Sequence, residues 1–314
     1  MADQIEADMI HGGGFLRKID LAMVRVRDVH PLHTTYRGRQ VFTVPPPGGG
    51  AAVIEAFNIL ESFAGEHLIE DTVTRHHTLV ETFRIVLADR GQVSATSGLF
   101  GRRSSVALSK DHARERASLI SADSVIADSD IYGPVDPECA PPSESTTQVS
   151  VADRWGNVVS LTQTLGRSWG AKVATRGLGF PYNSFLESFN FDKPQCPGYL
   201  QPNIRWPNDM APTIVLDDDG SLVVALGTPG SDLIPGIIAN VVSNLVDRGS
   251  DLEAAVAFPR VLFGGTLDLV PYVEQTGSIT AADIDALEDM GHKTVARYLY
   301  PAVGRSIVLY GGVN

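Results

Sequence analysis

The sequence has no apolar run near the roughly twenty residues that a membrane span needs, and its opening MADQIEADMIHGGG lacks the apolar core of a secretory signal. Cysteine is scarce. Cys139 and Cys196 both lie beside prolines, and two cysteines among 314 residues make no disulfide scaffold, so they read as free thiols. Basic residues are in deficit, 25 against 37 acids, for a net charge of −12. That balance excludes a nucleic-acid or anionic-membrane partner, since both reward a basic face. His-Glu-x-x-His is absent, which weakens a zinc-protease reading. Gly48–Gly50 lacks the Lys-Ser/Thr ending of a phosphate loop. No internal repeat is found. A cytoplasmic location is expected, unless the chain is a piece of something longer.

What is present is an ordered series of helix and strand signals. HTTYRGRQVFTV, 33–44, reads as a strand pair closed by three prolines and three glycines, which forbid helix and free the backbone to turn. Helices are expected next, one carrying Val53, Phe57 and Leu60, another from His77 to Arg90, and a polar one over Lys110–Ile120. Residues 91–105 read as an exposed loop. The Pro-, Ser- and acid-rich stretch 129–145 resists both helix and strand and marks a boundary between segments 1–145 and 146–314. Beyond it, 146–164 is a hairpin turning at Trp155-Gly156-Asn157. Strands follow at Thr213–Leu216 and Leu222–Leu226 around Asp217–Gly220, and Ile234–Val246 is strongly amphipathic. Short helices are expected at Asp251–Phe258 and Thr280–Met290, with Gly291 as the stop of the second. Hairpin-built sheets with helices outside them make an α+β layered domain.

Several residues invite chemistry. His77 and Glu81 stand four apart beside His76, but no second ligand pair accompanies them, so a helix-surface role is expected and no metal is assigned. Asp217–Asp219 are explained equally well by a turn. GTPGSDLI, 227–234, joins a strand to the start of the best helix; it is either a plain turn or a site where free amide N–H groups hold an oxyanion. Thr146 and Thr147 open the hairpin, and Thr162 and Thr164 lie near its far end. Threonine suits strands, and a threonine hydroxyl is also a nucleophile.

STTQVSVADRWGNVVSLTQTL resembles the start of the catalytic subunit of gamma-glutamyltranspeptidases, which are N-terminal nucleophile hydrolases. YRGRQVFTVPPPGGGAAVIEAFNILESF, HTLVETFRIVLADR, LSKDHARERASLI, MAPTIVLDDDG, LGTPGSDLI, EAAVAFPRV and ALEDMGHKTV resemble further family segments, in the family's order. The resemblance implies a four-layer α/β/β/α sandwich of that type, formed jointly by 1–145 and 146–314. It also implies a precursor that cuts itself before Thr146, whose freed α-amine then serves as base for its own hydroxyl. Thr164 matches the threonine that bonds the nucleophile, and Gly230 with Ser231 matches the oxyanion pair. No cofactor is implied. The substrate would be a small γ-glutamyl compound or related amide.

The substrate pocket departs from the family pattern. Asn208-Asp209-Met210 stands where the family has Ser-Ser-Met for an α-carboxylate, which an aspartate would repel. Asn183 matches a glutamine position, and Leu186 replaces the acid that grips the α-amine, with Glu187 next to it. Gly166 replaces an asparagine. These changes are expected to alter substrate choice more than bond chemistry. An acylase for non-glutamyl amides, and an unprocessed inactive homologue, are the alternatives. The family also carries a long N-terminal part ahead of this chain's start, so self-association or a partner chain supplying that part is expected.

Overall fold

The computed structural model describes residues 1–70, 72–93, 106–131, 145–192, 194, 199–206, 208–264, 270–274, 279–293, 295–297 and 309–310. Cys139, Cys196, the 94–105 part of the expected loop and most of the boundary segment lie outside them. Residues 91–93 instead end a helix, and the first part of the boundary segment, read as neither helix nor strand, begins with one helical turn at Asp128–Ile131.

A five-stranded sheet forms the centre, in the order β1 (Leu32–Tyr36), β2 (Arg39–Thr43), β5 (Thr213–Leu216), β6 (Leu222–Leu226) and β10 (Leu309–Tyr310), with each adjacent pair antiparallel. β1 and β2 meet at Arg37-Gly38, with φ of 50° and 83°. Two left-handed residues are what a tight hairpin turn requires. β3 (Ser145–Ala152) and β4 (Val158–Gly166) form a separate hairpin. β7 (Val261–Gly264), β8 (Val270–Glu274) and β9 (Val295–Arg297) make a third sheet.

Thr34, Val41, Thr43, Thr213, Val215, Val224 and Leu226 are buried on one face of the central sheet. A helical layer covers that face: α3 (Gly50–Leu60), α5 (Val73–Val93), α6 (Lys110–Ala117) and α8 (Ile234–Val246), after the smaller α1 (Ala2–His11), α2 (Lys18–Met23) and α4 (Glu66–Ile69) and with α7 (Asp128–Ile131) between. The sequence periodicity placed α8 correctly; α6 is shorter than expected, ending at Ala117. α9 (Leu252–Ala257) and α10 (Ala281–Asp289) complete the layer. The second is capped by the Thr280 hydroxyl on the Asp283 amide, and Gly291 at φ 103° follows its end.

Buried polar groups fasten the helices to the sheet. Tyr36 Oη donates to Asp247 Oδ2 at 2.5 Å, the Arg37 Nε meets Asp247 Oδ1 at 3.0 Å, and Ser243 Oγ adds 2.6 Å to the same carboxylate. Arg75 extends this network from α5 to Ser243 and Asn244. Burial, and then the Asp247 charge, push the Tyr36 phenol well above its ordinary range.

His76, His77 and Glu81 were expected on a helix surface; all three are buried. The correction has a plain cause. α5 packs against both α3 and β7, so its polar residues are enclosed. His77 Nδ1 lies 2.8 Å from His292 Nε2 and its Nε2 is 2.9 Å from the Ser121 carbonyl. Glu81 accepts from both Arg84 Nη1 (2.8 Å) and the Ile126 amide (2.8 Å). Burial, helped by His77 and Arg84, lowers the His292 imidazole to about 3.

An unfolded His292 titrates near the usual ~6.5, so the fold refuses a proton that the unfolded chain accepts. Its contribution is complete above pH ~6.5 and is lost as pH falls toward 3, with a slope of up to about 1.4 kcal/mol per pH unit. Urea unfolding across pH 4–7 should show a shallower pH dependence in His292→Gln than in the wild type. Equal slopes would exclude the linkage.

Candidate functional site

The β3–β4 hairpin has one polar and one apolar face. Facing pairs are Thr146 with Thr164, Gln148 with Thr162, and Ser150 with Ser160; the intervening pairs are Thr147 with Gln163, Val149 with Leu161, and Val151 with Val159. In a half-buried hairpin the apolar pairs ordinarily turn inward. Here Gln148 and Ser150 are buried, whereas Val149, Val151, Val159 and Leu161 are 37–57% exposed.

The polar face lies against the end of β6. Ser160 Oγ donates to the Leu226 carbonyl at 2.9 Å. A Cβ on Gly227 would stand 2.2 Å from Gln148 Oε1 and 2.9 Å from Thr162 Oγ1, so only glycine leaves room for the ladder. Gln148 is its hub: the amide nitrogen reaches Ser150 Oγ at 3.1 Å and Ser160 Oγ at 3.0 Å, while its oxygen accepts from Thr162. Gln148 did not stand out as a site residue in the sequence, although it shares strand parity with Thr146.

Thr146 sits at the outer end of this ladder, directly across from Thr164, with the register shifting between Ser145 and Thr146. The Thr164 hydroxyl accepts the Gly166 amide at 2.9 Å. Gly166 needs its glycine, since φ is 85° and a Cβ would meet Ser184 Oγ at 2.5 Å. The strand thus hands over to the 183–187 segment, which is tied back by Ser184 N to the Leu165 carbonyl (2.8 Å).

Gly227 also begins the second component. Gly230 and Ser231 have φ of 137° and 53°, followed by a single 3-10 turn, Ser231–Leu233, and then α8. A left-handed residue leading into a right-handed helical turn directs successive amides toward one side, as an anion nest does. Ser231 pays for that shape in backbone strain, because a side chain disfavours φ of 53°.

The residues expected around the substrate are divided in role. Asn183 is exposed and caps its own turn, its Oδ1 accepting the Phe185 amide at 3.1 Å. Glu187 is paired with Arg167 Nε at 2.7 Å, so its carboxylate is matched within the chain. Asn208 Oδ1 accepts the Met210 amide at 3.1 Å, and the Asn208 backbone N–H donates to the Pro47 carbonyl at 2.8 Å. Gly49 N donates to the Met210 carbonyl, and a Cβ there would stand 2.4 Å from the Asp209 carbonyl oxygen. The Pro/Gly run is therefore a close backbone splice to 208–210. Asp209 lines a small cavity with Asp232, Pro235, Phe83 and Phe263, which places two acids at the start of α8. Asp232 and Arg167 were missed in the sequence because their partners are distant along the chain.

The gamma-glutamyltranspeptidase family profile matches residues 1–308. The chain belongs to the gamma-glutamyltranspeptidase family. The glutathione hydrolase proenzyme of Pseudomonas sp. (strain A14) is 32% identical over 270 residues, 83% of this chain and 46% of that relative. The Acylase ACY 1 proenzyme of Pseudomonas sp. (strain SE83) is 33% identical over 309 residues, 98% of this chain and 51% of the relative. Cephalosporin acylase from Bacillus halodurans superposes with a TM-score of 0.81 at 26% identity, covering 98% of this chain and 54% of that structure. The chain thus spans about half the length of the curated relatives it matches. Among the described residues, no helix is long and apolar enough to cross a membrane.

Ser231→Gly should stabilise this gamma-glutamyltranspeptidase relative by up to about 1 kcal/mol, while Ser231→Val costs more than about 1 kcal/mol. Thermal melts check both; a neutral Ser231→Val would show that no strain resides there.

Proposed function

We propose that this chain carries the catalytic part of a gamma-glutamyltranspeptidase-type amidohydrolase, with segment 1–145 released at its junction with 146–314 by self-cleavage before Thr146. The observation that carries the proposal is the pairing of Thr146 with Thr164 on the inward polar face, against the strand end that leads into the Gly230-Ser231 turn. After cleavage, the Thr146 α-amine takes the proton of its own hydroxyl as Oγ1 attacks an amide carbonyl. The amides of Gly230 and Ser231 hold the resulting oxyanion. The ammonium then protonates the departing amine, leaving an ester on Thr146. Water or an acceptor amine breaks that ester and restores the hydroxyl. Thr164 keeps the nucleophile oriented.

Relatives named as glutathione hydrolase and as acylase bracket the substrate choice. The second reading, an acylase for amides without a free α-carboxylate, is favoured by Asp209, which stands where the resemblance places a carboxylate-binding serine and would repel a carboxylate. Glu187, matched by Arg167, has little charge left for a substrate amine.

The four-layer sandwich requires a helical layer on the outer side of the hairpin. The exposed Val149, Val151, Val159 and Leu161 are the surface such a layer would cover. We assign that role to a polypeptide equivalent to the part of the relatives that this chain does not match.

Thr146→Ala should lower turnover of any amide substrate by at least about a thousandfold. Asp209→Ser should raise kcat/KM for a γ-glutamyl anilide about tenfold relative to a neutral acyl anilide. A wild type that already prefers the glutamyl compound, unmoved by the substitution, overturns the acylase reading. In sedimentation the purified chain should self-associate or carry a second chain, and Val159→Lys with Leu161→Lys should abolish either state. A wild-type monomer would contradict the covering layer.

A further inference from the structure

We propose that Glu55, Asp89 and His112 form a binding site for one divalent transition-metal cation that clips α3, α5 and α6 together on the helical side of the molecule. One donor atom from each of the three residues lies within 4.8 Å of the other two. A metal held at about 2.0–2.2 Å from each donor places those donors within about 4.4 Å of each other, so small side-chain rotations suffice. The residues come from three different helices, and none belongs to the hairpin, the Gly230-Ser231 turn or the 208–210 splice.

Hydrogen-bond accounting is the independent observation. Glu55 is 1% exposed in the middle of α3, and its Oε1 has no hydrogen-bond partner. A buried carboxylate oxygen without a donor is costly and uncommon, and a cation is one of the few things that satisfies it. Asp89, also buried, is held by the Arg116 fork, with Nε to Oδ2 at 2.8 Å and Nη2 to Oδ1 at 2.9 Å. That grip uses one lone pair on each oxygen and fixes the carboxylate, leaving the second lone pairs for a metal. His112 Nε2 stands 3.6 Å from Asp89 Oδ2, and its side chain is a quarter exposed, which gives a metal and its water ligands access from one side.

Two carboxylates and one imidazole suit Mn²⁺, Fe²⁺, Co²⁺ or Zn²⁺ better than the all-oxygen preferences of Mg²⁺ and Ca²⁺ or the soft preference of Cu(I). With Arg116 included the cluster carries one net negative charge when both acids are ionised, so a dication is not over-neutralised by a large margin. The competing occupant is a proton on Glu55, which burial and the Asp89 charge favour when no metal is present.

The test uses the untagged full chain stripped with EDTA and titrated calorimetrically with Zn²⁺ and, separately, Mn²⁺. One equivalent should bind with a rise in melting temperature, and His112→Ala and Glu55→Gln should each weaken binding at least about tenfold. Glu55→Gln is expected to fold as well as the stripped wild type, because its amide can donate to Asp89; its loss of binding is then not a loss of structure. His112→Ala, at the rim, provides the second check. Absence of saturable binding, or binding unchanged in both variants, overturns the proposal and leaves Glu55–Asp89 as a proton-sharing pair.

Discussion

The hairpin faces the way it does because Gln148 must be enclosed. Its amide binds Ser150, Ser160 and Thr162, and the absence of a side chain at Gly227 is what admits it. A strand slip of one residue would send Val149 and Leu161 inward and turn Thr146 outward, because strand side chains alternate. The same ladder that fixes the hairpin's register therefore also fixes Thr146 opposite Thr164. Its price is an apolar outer face. In the proposed reading the polar side serves the candidate site, and the apolar side is the surface that a covering layer would occupy.

The helical side obeys different physics. There the polar groups are enclosed by apolar packing from α3, α5 and α8, and two carboxylates survive burial by gathering specific donors. Asp247 collects Tyr36, Arg37 and Ser243; Glu81 collects Arg84 and Ile126. These networks pin the helices to the sheet whose far face supports the hairpin. By strand alternation, Leu226 belongs to the helical face and Gly227 to the hairpin side, so one strand end links the two halves of the molecule.

The elements were largely legible in the sequence, and the geometry of the candidate site partly so. β5, β6 and α8 were readable because period-two and period-3.6 apolar patterns act within a few residues. The threonine pair was readable because both residues belong to one hairpin. Burial of α5 was not: His76, His77 and Glu81 look like a surface stripe until Ser121, Ile126 and His292 are brought to this helix across the chain. The Asp209–Asp232 juxtaposition was hidden for the same reason. Gln148 was overlooked because a polar residue on a strand ordinarily faces water, and only the packing against Gly227 reverses that.

The central claim is that Thr146 becomes a chain terminus. It is tested most directly by the intact mass of the freshly purified protein, with N-terminal sequencing of every species. The account predicts two fragments of 145 and 169 residues, the second beginning Thr-Thr-Gln-Val. A single chain of 33.7 kDa, unchanged on prolonged incubation, would contradict it.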